Sequence, residues 1–137
     1  MEPTPRQPKR AFISPALHEP PGYAHLVEVD CSSIFFSAGS VPLDSSGYLV
    51  GERSYTAQAD AAIANLMTVL TENDLDTHNI VQTSIFVASA NTEDLQAVWQ
   101  RLQSAGLANE SIASTLLGVS CLGYHGQLVE IEVIAAR

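Results

Sequence analysis

Few side chains in this sequence have the type and spacing to do chemistry. Cys31 and Cys121 lie far apart with no CxxC, and His18, His25, His78 and His125 are scattered singly with no HxxxH. A zinc site needs closely spaced nitrogen and sulfur ligands, so no zinc site is expected. Neither cysteine stands at a helix N-terminus or in a basic cluster that would stabilise its thiolate, and both read as small buried hydrophobes. Ser114 and Thr115 carry hydroxyls, but no histidine–acid pair falls nearby to make either one a nucleophile. Ser114 is left as a hydrogen-bond donor to a neutral ligand or as a small filler. Among the carboxylates, Glu130 stands with Glu132 in the segment 128–136 (LVEIEVIAA). A carboxylate there could orient a water or accept its proton. It could equally be one of two charges, with Glu132, on an exposed strand face. Glu132 reads as structural, and His125 reads as a surface loop residue near any pocket rim.

The hydrophobic pattern outlines the elements that must position these groups. Residues 25–30 (HLVEVD) alternate as a half-buried strand does, and 34–41 (IFFSAGSV) form a second apolar run. Cys31-Ser32-Ser33 between them is short enough for a hairpin turn. The turn formers of 42–47 (PLDSSG) end that run, and 48–50 make a short third strand. The period then changes. Ala59, Ala62, Ile63, Leu66, Met67 and Leu70 form an i, i+3, i+4 ladder with no glycine or proline between 55 and 70. The spacing predicts a helix capped by Ser54 or Thr56 and ended by Asn73-Asp74. Residues 81–88 (VQTSIFVA) return to strand character, with Val81, Thr83, Ile85 and Val87 on one face. Asn91 or Thr92 caps a second helix with the apolar stripe Leu95, Val98, Trp99 and Leu102. Glu93 and Asp94 suit its positive end, and Gly106 suits its C-terminal turn. Strands at 114–120 and 128–136 follow, with 122–127 (LGYHGQ) as a hairpin loop. The order β-β-β-α-β-α-β-β predicts an α+β fold, one mainly antiparallel sheet with both helices on one face. In the last strand Val129, Ile131 and Val133 point one way, and Glu130, Glu132 and Ile134 the other. A partly apolar free face of this kind is buried against another copy, so an oligomer is expected.

Length and charge bound the rest. A chain of 137 residues suits one domain, taken as 11–137, behind a loose, proline-rich tail at 1–10. The net charge is −9. Half of the cations are Arg6, Lys9 and Arg10, so from Ala11 onward three cations face fourteen acids, a net of −11. Such a surface repels a phosphate backbone, and no nucleic acid is expected as a partner. No apolar run approaches the roughly 18 residues of a membrane span. The charged, proline-rich start is unlike a leader, so the expectation is a cytoplasmic protein with reduced thiols and no membrane partner.

Several segments together resemble the Rid family (reactive intermediate deaminase, also called the YjgF or endoribonuclease L-PSP family). Gly22-Tyr23 is similar to the family's glycine–tyrosine start, and Ser37-Ala38-Gly39-Ser40-Val41-Pro42 to its SGQIP-like strand. Leu75, Ile80 and residues 81–87 (VQTSIFV) resemble its "GL…DIVKTTVFV" segment, and 129–135 (VEIEVIA) its closing IEIEAIA strand. The resemblance implies a chorismate-mutase-like fold and a homotrimer with small-molecule clefts at the subunit joints. It also implies chemistry without metal or organic cofactor. In deaminating members an arginine grips the carboxylate of an imino acid and a glutamate on the last strand positions the attacking water. Carried over residue by residue, Glu130 falls on that catalytic glutamate and Tyr23 on a tyrosine lining the cleft. Ala38 replaces the serine before the strand glycine, Gly39. Ser114, opening the segment Ser114-Thr115-Leu116, stands where the arginine belongs. Leu116 occupies a position that is often a reactive cysteine. Trp99 takes a place where helix two commonly offers a polar residue, and by helical spacing it also reads as core. Arg53 or Arg101 of a neighbouring subunit could replace the missing guanidinium. The resulting expectation is a hydrolytic, deaminase-type enzyme acting on an imine, enamine or related compound not held by an arginine–carboxylate pair. The alternative is a non-catalytic homotrimer that binds a small ligand. A third reading, ribonuclease, is disfavoured by the acidic surface.

Overall fold

The computed structural model describes residues 9–137. Its strands are β1 (Lys9–Phe12), β2 (Leu26–Val29), β3 (Ile34–Phe36), β4 (Ile80–Val87), β5 (Ala113–Gly118) and β6 (Val129–Ala136). The helices are α1 (Tyr55–Glu72) and α2 (Thr92–Ser104), with a 3-10 turn at Thr77–Asn79 before β4. β1 and β2 form an antiparallel ribbon, and the main sheet has the order β3-β6-β4-β5. Both helices pack together, α1 against β6 and α2 against β4 and β5. The α+β class and the two helices on one sheet face are as the pattern predicts, whereas β1 stands where a tail was expected and the strands form two sheets in place of one.

The pairing of strands differs from the expectation in three places. The expected hairpin at Cys31-Ser32-Ser33 does not form: β2 pairs with β1, and β3 with β6. The Ser32 and Ser33 N–H groups both donate to the Arg137 carbonyl, so the C-terminus catches the crossover. The expected hairpin around 122–127 is also absent, because β6 inserts between β3 and β4 and leaves β5 at the edge, parallel to β4. The reason is burial: Val129, Ile131, Val133 and Ala135 all lie in the core, and a strand with that face belongs at the centre. β5, carrying Ser114, Thr115 and Gly118, is the more polar edge. Finally, 48–50 is no strand. The Asp44 carboxylate accepts the N–H groups of Ser46 and Tyr48, and the turn closes on a single Leu43–Leu49 bridge. Of the expected tail, residues 1–8 lie outside the described residues, while Lys9 and Arg10 open β1.

The run 34–41 is regular only to Phe36. At Ser37 the side chain takes the Val133 N–H at 2.8 Å, which breaks the ladder. The chain rejoins β6 at Ser40, which exchanges both backbone hydrogen bonds with Ile131. This irregular strap carries Ala38 and Gly39 over the far face of the sheet from the helices.

Helix termini follow local chemistry closely. Ser54 caps α1 by accepting the Ala57 N–H, and Asn91 caps α2 by accepting the Glu93 N–H. Both helices end in the same motif. Leu107 N–H donates to Leu102 and Gly106 N–H to Gln103; Leu75 N–H donates to Leu70 and Asp74 N–H to Thr71. In each case the two leucines are core residues, so the cap also fixes where the chain re-enters the core. The left-handed position is Gly106 (φ +80°) in one and Asp74 (φ +56°) in the other. A Cβ on Gly106 would meet only Thr77 at ordinary contact, 3.5 Å, so any cost there is backbone strain. Gly106→Ala is therefore expected to lower stability by about 1–2 kcal/mol, and Asp74→Gly to raise it by up to ~1 kcal/mol. Urea denaturation midpoints check both, and an unchanged midpoint for Gly106→Ala would contradict the strained cap.

Candidate ligand site

A cleft of about 170 Å³ opens between the segment before β2, the exposed side of α2 and the edge strand β5. It is lined by Pro21, Tyr23, Gln96, Trp99, Ser114 and Leu116. Trp99 is 7% exposed and belongs to the hydrophobic core, as its helical spacing predicts, and it also walls the cleft. Ser114 and Leu116 project here because their cross-strand neighbours Thr83 and Ile85 are buried on the helix side, and paired residues share a face. Nothing that lines the cleft is charged. The Ser114 Oγ is buried and has no hydrogen-bond partner among the described residues.

Tyr23 is held from behind by a cluster that the scattered spacing of the histidines did not suggest. Its hydroxyl lies 3.1 Å from His18 Nε2, and its ring stands edge-on to His25 at 6.0 Å between centroids. His18 meets His25 in the same way. The His25 Nδ1 accepts the Ser14 N–H at 3.0 Å, so the ring proton sits on Nε2, which is buried and unpartnered among the described residues. The segment between β1 and β2 thereby presents Tyr23 to the cleft.

Glu130 lies elsewhere. It alternates with the core residues of β6 and so projects from the open face, in one cross-strand row with Phe86 and Leu117. Its Oε1 accepts from Gln127 Nε2 at 3.3 Å. Its other oxygen lies against Gly39: a Cβ added there would stand 2.5–2.8 Å from the Glu130 carboxyl carbon, Oε2 and Cγ. Ala38, beside it on the strap, is exposed, and so is Thr115, which lies on the open face with Ser84 and Glu132.

The sequence-derived residues therefore fall into two groups on opposite faces of one sheet. Tyr23, Trp99, Ser114 and Leu116 share the cleft, whereas Ala38, Gly39 and Glu130 share the open face with Thr115. One chain does not join them. β6 and β5 are separated by β4, which sets Glu130 and Leu117 about 10 Å apart before the sheet is crossed. Within the chain neither arginine lines this cleft: Arg101 pairs with Asp60 of α1 at 3.4 Å, and Arg53 is exposed at the turn into α1 with φ +60°. His125 is exposed on its loop, as expected. The reading of both cysteines as buried is corrected, since Cys121 is exposed and Cys31 half-buried; each lies in an irregular connection that the core does not cover.

Sequence reasoning missed two glutamines. Gln58 is fully buried in α1, where it donates to the Gly126 carbonyl and accepts the Leu128 N–H at 2.7 Å. Gln127, between those two residues, is 4% exposed. A signal was present for the first: Gln58 stands four residues before Ala62 and eight before Leu66, on the apolar stripe itself. Among the described residues no group of three or more His, Cys, Asp or Glu could hold a metal ion, and no helix is long and apolar enough to cross a membrane. Another hollow, of about 610 Å³, is lined by none of the candidate site residues. It is an open, polar depression beside Lys9, whose pKa burial lowers and whose Nζ donates to the Ile80 carbonyl at 2.8 Å.

Comparison with known proteins gives one consistent family. Residues 16–137 match the profile of the endoribonuclease L-PSP family. Protein DfrA of Myxococcus xanthus is 32% identical over 113 residues, which span 82% of this chain and 83% of DfrA. Among solved structures, YyfB of Yersinia pestis, a protein of unknown function from the conserved Rid family, superposes with a TM-score of 0.88 at 25% identity, over 96% of this chain and all of that one. TdcF of E. coli, in a structure with bound serine, gives 0.62 at 19% identity over 80% of this chain and 84% of its own.

The contact between Gly39 and Glu130 yields a clean perturbation. No positive φ makes a side chain strained at Gly39, and the obstructing atoms are the far end of a flexible side chain. Gly39→Ala is expected to leave the thermal midpoint within a few degrees of the original while displacing the Glu130 carboxylate. A crystal structure of the variant checks this. An unmoved carboxylate would show that the strap, and not Glu130, yields.

Proposed function

We propose that this chain, which belongs to the endoribonuclease L-PSP (Rid/YjgF) family, is a deaminase-type hydrolase for a small neutral imine or enamine. The observation that carries this reading is the Ser114 hydroxyl, buried and unpartnered in an apolar cleft at the position where the family resemblance places an arginine. A guanidinium holds a carboxylate through paired charged hydrogen bonds. A lone hydroxyl between Trp99 and Leu116 suits instead an uncharged group with one hydrogen-bonding atom. The serine bound in TdcF is a carboxylate-bearing molecule. In this chain a ligand of that kind would lose about 2–5 kcal/mol for want of a cationic partner.

The chemistry asks only for water and a carboxylate. Glu130, held by Gln127 and Gly39, orients a water toward the imine carbon and takes its proton as the carbon–oxygen bond forms. Glu130 returns that proton to the nitrogen to complete the carbinolamine. It then takes the carbinolamine hydroxyl proton and passes it to the same nitrogen as the carbon–nitrogen bond breaks, so that ammonia leaves and a carbonyl product remains. Because Glu130 and Ser114 face opposite sides of one sheet, the proposed site takes the cleft from one copy and the carboxylate from a second, in a homotrimer. A second reading, ligand binding without turnover, draws on the apolar walls Trp99 and Leu116.

Ammonia release separates these readings. With acetophenone imine and 2-iminobutyrate at equal concentration, the neutral imine is expected to react faster. Glu130→Gln is expected to lower its kcat about 100-fold or more while affinity for the ketone product stays within a few fold. Faster turnover of 2-iminobutyrate would overturn the neutral-ligand assignment, and saturable ketone binding without turnover would establish the second reading. The shared site has its own test, by sedimentation velocity. Ile134→Asp places an unpaired charge on the open face and is expected to yield monomers that no longer bind the ketone. A monomeric original protein at micromolar concentration sinks the two-copy site.

A further inference from the structure

We infer that Gln127 is the positioning residue for the Glu130 carboxylate, anchored in that role by Gln58. The hydrogen bonds fix the amide without ambiguity. Gln127 Oε1 accepts the Tyr124 N–H at 3.1 Å, so Nε2 must face the other way. There it donates to the Val129 carbonyl at 3.0 Å and to Glu130 Oε1 at 3.3 Å. A flipped amide would set its oxygen against a carbonyl and a carboxylate and its NH2 against an N–H, losing all three bonds. The side chain is therefore a one-way donor to Glu130. It is also nearly solvent-free, which makes each of these bonds costly to leave unmade.

The backbone on both sides of Gln127 is held by the Gln58 side chain, through the Gly126 carbonyl and the Leu128 N–H. Gln58 in turn is fully buried within α1, which packs on β6. A rigid helix thus grips the loop on each side of Gln127. The exposed loop residues 123–126 end where this grip begins. On the opposite side of the carboxylate, the Gly39 strap is pinned to β6 by the two Ser40–Ile131 hydrogen bonds. Glu130 has one oxygen committed to a neutral N–H donor and the other lying over a residue without a side chain. The carboxylate is thus held on both sides, by the Gln127 amide and by the Gly39 strap.

This inference rests on the hydrolase reading for its catalytic meaning, and two measurements keep their failures apart. The first is a double-mutant cycle on acetophenone imine hydrolysis. Gln127→Met removes the donor and is expected to lower kcat by roughly ten- to a hundredfold with KM little changed. In the Glu130→Gln background the same substitution is expected to change kcat by less than about twofold, since a residue acting through Glu130 has nothing left to position. Should Gln127→Met fail to fold because Tyr124 and Val129 lose their partner, Gln127→Glu keeps an acceptor for Tyr124 while withdrawing the donor, and it replaces the former in the cycle. The second measurement needs no turnover: the side-chain amide resonances of Gln127 are expected to move in Glu130→Ala and to stay in Glu132→Ala. Resonances unmoved by Glu130→Ala overturn the contact itself. An additive cycle with the contact intact overturns the positioning role alone. Absence of turnover in the original chain overturns the hydrolase reading and leaves the amide measurement to decide the contact.

Discussion

Everything in this molecule that could do chemistry is placed by the register of one strand. β6 lies between β3 and β4 with Val129, Ile131, Val133 and Ala135 driven into the core beneath the helices. Because a strand has period two, that burial forces Glu130, Glu132 and Ile134 to the other face. A slip of one residue would bury two carboxylates and expose four apolar side chains, so the register is strongly specified. Through the β4 pairs it also fixes which β5 residues face which way. Ser114 and Leu116 join the core rows of Thr83 and Ile85, and Thr115 and Leu117 join the open face.

This arrangement explains how a folded chain can carry the parts of a site without assembling them. The cleft lies on the helix side of the edge strand, and the carboxylate lies on the bare side two strands inward. The bare side has apolar members: Phe36 is 75% exposed and Leu117 45% exposed. It is therefore suited to meet another protein surface more than to remain in water.

Local features were legible and pairing was not. Helical ladders, the Ser54 and Asn91 caps, the Gly106 turn and the alternation of 129–136 depend on residues within a few positions of one another, and sequence displays them directly. Strand partners depend on what the chain meets after a long excursion. The short segments Cys31-Ser32-Ser33 and 122–127 resemble hairpin loops by length and composition, but the apolar demand of β6 for a central place outweighs that local preference. The same holds for function. The cleft residues came from resemblance, and Tyr23, Trp99, Ser114 and Leu116 do meet. Separation of Glu130 from them is a matter of faces and follows only from the register of β4, β5 and β6. His18 and His25 look solitary in sequence because the contact between them is made by folding the segment before β2. Gln127 gave no sequence signal, since a glutamine two positions before a strand is indistinguishable from a solvated loop residue.

Ser114 is the point at which stability and function part. A buried hydroxyl without a partner costs about 1–3 kcal/mol, and alanine or valine at that position would remove the cost while keeping the cleft wall apolar. Elsewhere this chain is thorough about such groups. Thr83, one strand away on the same face, gives its hydroxyl to the Leu107 carbonyl at 2.8 Å, and Gln58 and Gln127 use both ends of their amides. His25 Nε2 is the other buried group without a partner among the described residues; on the proposed reading, the partner of Ser114 is the ligand. The partner must reach it past Tyr23, Trp99 and Leu116, which present rings and methyl groups, so it arrives on an apolar body. On that proposed reading the cleft favours, by contrast, an occupant with one polar atom to meet Ser114 and a flat or branched hydrocarbon frame around it.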